Sequence, residues 1–257
     1  MPEYLAVGNW KMNTTVSEAV MLASAIKENL GNSTPQGVEA VICPPFVSLV
    51  PVLDVIKDSS LKLGAQNAYS EAKGAFTGEI SPNMLADICQ YVLIGHSERR
   101  HIMREGYQVI GQKMKAVVAA GLRPVLCVGE TLSQRKQGAA EAVVRRQIET
   151  GLVDIHSVEG LVIAYEPVWA IGTGVPATPV TVIDITGGAI RAELAKLYGE
   201  DAALEVPVLY GGSVTPENVS GFLQEPSIQG TLVGGASLNA DQFTEIVRLT
   251  AEIKSGV

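Results

Sequence analysis

The sequence predicts an α/β fold, a single (β/α)8 barrel whose eight parallel strands are surrounded by helices. Three observations point there. Short, near-continuous β-branched apolar runs alternate with longer segments of helical periodicity from end to end. Eight strands in a chain of 257 residues average about 32 residues per unit, close to what a closed barrel needs. No linker, low-complexity stretch or charge block marks a second domain, so residues 1–257 are expected to form one.

The predicted strands are, in order, residues 4–7, 38–42, 61–63, 91–94, 124–128, 161–164, 206–209 and 231–233. Runs of this kind suit strands buried on both faces, and parallel neighbours require crossover helices between them. Residues 17–30, 105–120, 139–150 and 241–253 carry the helical period. Cap-type residues stand at 14–18 and 239–241, and Gly31 and Gly121 sit where two of these helices should end. Residues 178–190 fit a helix badly, with several β-branched residues and the pair Gly187-Gly188. Glycine inside a helix costs roughly 1 kcal/mol relative to alanine, so either packing or a contact needing small residues must hold this one. A doubly wound open sheet is the structural alternative. Against it, no GxGxxG follows the first strand and no GxxxxGK[ST] occurs anywhere.

Hydrophobic residues make up 47% and charged residues 18%, enough apolar material for a large core and too little charge for disorder. With 19 Lys+Arg against 27 Asp+Glu, the net charge of -8 discourages nucleic acid and anionic membranes as partners. It does not exclude a small anionic ligand, which responds to the local field of its pocket. Cys43, Cys89 and Cys127 are odd in number and lack CxxC spacing. They read as small buried hydrophobes rather than a disulfide framework or a zinc site. With no signal peptide and no apolar run of transmembrane length, a reducing cytoplasmic location is expected.

The polar residues that end the strands carry the chemistry. Strand one runs into Gly8-Asn9-Trp10-Lys11, strand four into Gly95-His96-Ser97-Glu98-Arg99-Arg100, and strand six into Tyr165-Glu166-Pro167. Strands seven and eight run into Gly211-Gly212-Ser213 and Gly234-Gly235-Ala236-Ser237. In a barrel all these ends meet at one face. Singly, Lys11 reads as a snorkelling lysine, His96 as a satisfied core histidine and Glu166 as a cap or an arginine partner. Together, three ionisable types beside glycine-rich turns read as an active site. Gly172, Ser213, Gly234 and Gly235 lie in three different loops where backbone N–H groups can converge on an oxyanion such as a phosphate. The apolar stretch after Glu166 can close over a pocket and expel water, or pack as a static loop. Gly95-His96-Ser97-Glu98-Arg99 fails as a nucleophile elbow because Arg99 stands where glycine is required. His96, His101 and His156 have no metal-binding spacing.

The sequence resembles the triosephosphate isomerase family along its whole length. The resemblance rests on Gly8-Asn9-Trp10-Lys11-Met12-Asn13, Gly95 through Arg100 as quoted, Ala164-Tyr165-Glu166-Pro167-Val168-Trp169-Ala170-Ile171-Gly172-Thr173-Gly174, Tyr210-Gly211-Gly212-Ser213-Val214 and Leu232-Val233-Gly234-Gly235-Ala236-Ser237. It implies a TIM barrel that interconverts dihydroxyacetone phosphate and glyceraldehyde 3-phosphate, with no metal or cofactor. Glu166 matches the family's general base, His96 its neutral electrophile, Lys11 the cation beside the substrate and Asn9 a hydrogen-bonding neighbour. Gly172, Ser213, Gly234 and Gly235 match its phosphate contacts. Burial under a lid is expected to raise the Glu166 pKa. A helix starting at Ser97-Glu98 is expected to keep His96 neutral, a pattern for which this family is a standard illustration.

The resemblance further implies a lid at Pro167, Val168, Trp169, Ala170, Ile171, Gly172, Thr173, Gly174, Val175, Pro176 and Ala177. Here Val175-Pro176-Ala177 replaces the family's frequent Lys-Thr-Ala, and proline is expected to stiffen the rear hinge. Residues 66–79 resemble a protruding third loop that inserts into a second subunit. A homodimer follows, with Thr77 near the partner's active site and Glu79 and Arg99 as a pair across the interface. Two rival readings stand beside this one: another phosphate-binding barrel enzyme, such as a sugar-phosphate epimerase or an aldolase, or a non-catalytic phosphate-ligand-binding barrel. An aldolase needs a Schiff-base lysine deep in the barrel, and among the apolar strand runs only Lys62 interrupts one.

Overall fold

The structure, a computed structural model, describes residues 4–31, 33–171 and 177–255. Eight strands, β1 (Tyr4–Asn9), β2 (Val38–Cys43), β3 (Lys62–Ala65), β4 (Tyr91–Ile94), β5 (Arg123–Val128), β6 (Val162–Tyr165), β7 (Val208–Tyr210) and β8 (Gly230–Val233), close into a barrel in sequence order. Every neighbouring pair is parallel, and β1 pairs both β2 and β8, with Gly8 opposite Ile42 on one side and Val233 on the other. That closure removes the open-sheet alternative. All eight predicted strands form, with ends shifted by at most two residues.

Successive strand residues alternate between two buried clusters, as a pleated strand requires. Leu5, Val7, Val41, Leu93, Val125, Val162, Leu209 and Leu232 share one cluster, inside the barrel. Ala6, Ala40, Val92 and Ile163 belong to the other, between strands and helices. Gly64 of β3 is required by close packing, because a Cβ there would come 2.6 Å from the Cys43 sulfur.

The predicted helices form at Val16–Leu30, Tyr107–Ala119, Ala140–Gly151 and Ala240–Ser255. Thr15 and Glu18 make a capping box at the first, and Gly31 ends it at a φ of 71°. Residues 178–190 resolve the propensity conflict in an unforeseen way. A short α-helix, Pro179–Ile183, passes into a π-helical stretch, Asp184–Arg191, before α-helix resumes at Ala192–Tyr198. A Cβ on Gly187 or Gly188 would meet nothing within 4 Å, so no close contact demands these glycines. Packing holds the segment through buried Ile185, Thr186, Ala189 and Ile190.

Candidate active site

The ends of β1, β4 and β6 bring three ionisable side chains into one linked cluster. Lys11 follows β1 in a left-handed backbone conformation, φ 53°, which residues with a Cβ adopt at a cost. Two side chains hold it there. Its N–H donates to Asn9 Oδ1 at 3.0 Å, and Gln66 Nε2 donates to its carbonyl and to that of Cys43, each at 2.8 Å. The Lys11 ammonium is 2.6 Å from Glu98 Oε1. This is a placed cation, not a snorkelling one.

Gly95 turns the chain at the end of β4 with a φ of 73°, and His96 caps the short helix Ser97–His101. The Glu98 N–H donates to His96 Nδ1 at 3.3 Å, so the ring's other nitrogen carries its hydrogen. That nitrogen, Nε2, lies 3.0 Å from Glu166 Oε1. The second carboxylate oxygen of Glu166 accepts the Ser97 N–H at 3.0 Å. Both side chains are buried. Glu166 is positioned by its own N–H, which donates to Val128 O at 2.7 Å, and by close approach of two glycines. A Cβ on Gly129 would stand 1.8 Å from Glu166 O, and one on Gly211 would stand 3.0 Å from Glu166 Cγ.

The electrostatics differ from expectation at Glu166. Burial is the largest influence and pushes its pKa up, but the charge and hydrogen bond of His96, the Ser97 N–H and the Lys11 charge together hold it below the ordinary 4.5. At His96 burial is the largest influence and pushes down, as the Lys11 charge does, but the charge and hydrogen bond of Glu166 and the charge of Glu98 together outweigh them, so the imidazole pKa lies above 6.5. The docked carboxylate prevails over the neutral ring that the helix start was expected to favour. The sequence shows the burial of both groups and not their mutual contact, which decides the sign.

Gly234 lies beside the lysine, with a Cβ position 3.6 Å from Lys11 Cε. Its carbonyl is taken by Ser237, through N–H at 2.9 Å and Oγ at 2.6 Å, and Gly235 opens a single 3-10 turn, Gly235–Leu238. The Ser213 carbonyl accepts Asn218 Nδ2 at 2.8 Å, which orders the loop after β7. Gly172, the fourth phosphate residue expected, lies outside the described residues, as do Thr173, Gly174, Val175 and Pro176 of the expected lid.

The described part of that lid is anchored at both ends. Val168–Ala170 forms a 3-10 turn, and Trp169 Nε1 donates to Glu130 Oε1 at 2.8 Å. Arg135 Nε bonds the same oxygen at 2.7 Å, and its guanidinium sits over the Trp169 ring at 5.2 Å. Ala177, where the described chain resumes, is buried. Glu98, Gln66 and Glu130 are site residues that the sequence reading did not single out. Glu130 ends β5 as Glu166 ends β6, so the same strand-end signal was present for it.

In the third loop, the Tyr69 and Phe76 rings pack tilted at 46°, 4.7 Å between centroids, while Thr77 and Glu79 are exposed. Arg99 bonds Glu105 Oε1 within the chain, through Nε at 2.7 Å. A cavity of about 440 Å³ runs from Asn9, Lys11 and His96 to Phe46, Tyr69 and Met103.

Comparison with known proteins gives one answer. Residues 4–250 match the family model described as triosephosphate isomerase. The chain is 49% identical over 246 residues to the triosephosphate isomerase of Chloroflexus aurantiacus, covering 95% of this chain and 97% of that one. It is 47% identical over 255 residues to the enzyme of that name from Dehalococcoides mccartyi (strain CBDB1), covering 99% of both chains. It is 47% identical over 251 residues to that from Endomicrobium trichonymphae, covering 96% of this chain and 99% of that one.

Proposed function

The chain belongs to the triosephosphate isomerase family, and from that premise we infer that it interconverts dihydroxyacetone phosphate and D-glyceraldehyde 3-phosphate, in glycolysis and gluconeogenesis. The observation that carries the mechanism is the chain of contacts from Lys11 through Glu98 and His96 to Glu166, drawn from three strand ends.

Glu166 is the base. It removes the proton from the carbon next to the carbonyl, and the electron pair moves onto the carbonyl oxygen to give an enediolate. His96 Nε2–H donates to that oxygen, and the Lys11 ammonium stabilises the negative charge, with Asn9 keeping Lys11 in its strained pose. His96 then passes the hydroxyl proton of the neighbouring carbon to the first oxygen, which leaves the new carbonyl on that neighbour's oxygen after the abstracted proton returns to the original carbonyl carbon and completes the isomerisation. In the structure Glu166 is parked on His96 and Ser97, which weakens it as a base. Turning to the substrate frees it from both donors, so that burial then dominates and its basicity rises. The same movement takes the carboxylate from His96 and leaves a neutral ring, the better partner for an enediolate. Gly172, Ser213, Gly234 and Gly235 receive the phosphate, and residues 167–177 close over it, which protects an enediolate phosphate from losing its phosphate.

A homodimer fits the surface. Met12, Phe46, Val47, Met84, Ile102 and Met103 are exposed apolar side chains on the loops after β1 to β4, beside the third loop and the cavity. Such a patch marks an interface, and a two-fold axis lets each third loop enter the other subunit's cavity. Thr77 then approaches the partner's Asn9 and Lys11. Glu79 meets the partner's Arg99, alongside the Glu105 pairing within each chain. Residues 1–257 act as one domain, since β8 pairs with β1. Three free, buried cysteines suit a cytoplasmic setting, and no described helix is long and apolar enough to cross a membrane.

A coupled assay that consumes dihydroxyacetone phosphate formed from glyceraldehyde 3-phosphate tests the activity. Absence of turnover in the folded protein would overturn it.

A further inference from the structure

The residues around Glu166 lie on a bed formed by Val128, Gly129 and Glu130 at the end of β5. Glu166 N–H donates to Val128 O at 2.7 Å, and Val168 N–H donates to Glu130 O at 3.1 Å. Between these two bonds Gly129 passes so close to the Glu166 carbonyl that any side chain would collide with it. Both polar groups of the Gly129 residue are taken by one side chain. Its N–H donates to Gln147 Oε1 at 2.6 Å, and its carbonyl accepts Gln147 Nε2 at 3.0 Å. Gln147 is 4% exposed and belongs to the helix Ala140–Gly151, alongside buried Val144 and Ile148. It touches none of the reacting groups. A primary amide paired both ways with backbone reproduces the two-bond pairing of a strand and fixes its partner in direction and distance.

We propose that Gln147 is a positioning residue for the isomerisation. It pins Gly129, and through that close contact the backbone of Glu166, so that the carboxylate turns about a fixed anchor between His96 and the substrate. The proposal rests on the reading of Glu166 as the base. Reacting groups tolerate little displacement, and a misplacement of about 1 Å costs on the order of 10²-fold in rate. Removing the amide leaves a buried N–H and a buried carbonyl unpaired, which favours a shift of the bed.

The test compares Gln147→Leu and Gln147→Glu with the wild type in kcat, KM and thermal midpoint across the pH range where all are folded. Gln147→Leu is expected to lower kcat about 10- to 100-fold with KM little changed. In Gln147→Glu, burial raises the carboxyl pKa. The protonated acid accepts the Gly129 N–H and donates to its carbonyl as the amide does, whereas the ionised form cannot donate. Its kcat should therefore approach the wild-type value at the acid end and fall as pH rises, relative to the wild type. A wild-type kcat in Gln147→Leu, however far its midpoint drops, overturns the proposal. So does a Gln147→Glu profile parallel to the wild type, and this variant decides alone if Gln147→Leu does not fold. Glu166→Ala is run beside them: its activity would strike the base assignment, whereas an inactive Glu166→Ala with fully active Gln147 variants strikes only the role of Gln147.

Discussion

Glu166 Oε1 stands 3.0 Å from His96 Nε2, and both side chains are almost wholly buried. The site thus holds its base against its electrophile, with the Ser97 N–H completing the berth.

Glu166→Ala should lose about 10²–10⁴-fold or more in kcat while still binding inorganic phosphate, because Ser213, Gly234 and Gly235 lie on the loops after β7 and β8. Steady-state kinetics and calorimetry check the two halves. Near-normal turnover would remove Glu166 from the mechanism.

The pair also sets a pH dependence of stability. The depressed Glu166 pKa stabilises the fold above its ordinary value of 4.5, and this is lost as pH falls through the folded value. The raised His96 pKa stabilises below 6.5, and this is lost as pH rises through the folded value. The coupling is therefore fully developed between 4.5 and 6.5. A double-mutant cycle of His96→Asn and Glu166→Gln, read by denaturant unfolding at several pH values, should peak in that window. A coupling energy independent of pH would contradict the assignment.

Lys11 carries backbone strain for the sake of its position. At a φ of 53° the usual preference should invert, with Lys11→Gly more stable than Lys11→Ala by about 1 kcal/mol. Both variants lose the ammonium and should lose at least about tenfold in kcat/KM. Thermal or chemical unfolding of the two measures the strain directly, and Ala proving the more stable would argue against it.

Met103→Glu places a charge on the apolar patch. Under the proposed homodimer, sedimentation should shift from dimer toward monomer, with activity falling alongside if the partner's third loop completes the site. An unchanged dimer would move the interface elsewhere.

The sequence carried more of this protein than local patterns usually do. Apolar runs near Tyr4, Tyr91 and Leu161 are continuous enough to declare strands, and the residues that follow them, Lys11, His96 and Glu166, stand out because strand ends in a barrel share one face. Glu98 was visible in a quoted motif, but its bond to Lys11 spans 87 residues of chain and depends on the left-handed turn at Lys11. Glu130 and Gln147 act through contacts across the outside of β5, which leave no periodic trace. The π-helical stretch after Ile183 was legible only as a weak helix, because propensity reports a poor fit without saying how the backbone absorbs it.

What the sequence determined by itself was the alternation of strands and helices, the single-barrel length and the identity of the groups at the strand ends. These follow from periodicity and composition, which are properties of neighbouring residues. Tertiary structure decided that the sheet closes between β1 and β8, that Glu166 rests on His96 and Ser97, and that the pKa of this carboxylate moves down rather than up. Each is the outcome of competing contributions from residues remote in the chain, and their balance exists only once the barrel has brought them within a few ångströms of one another.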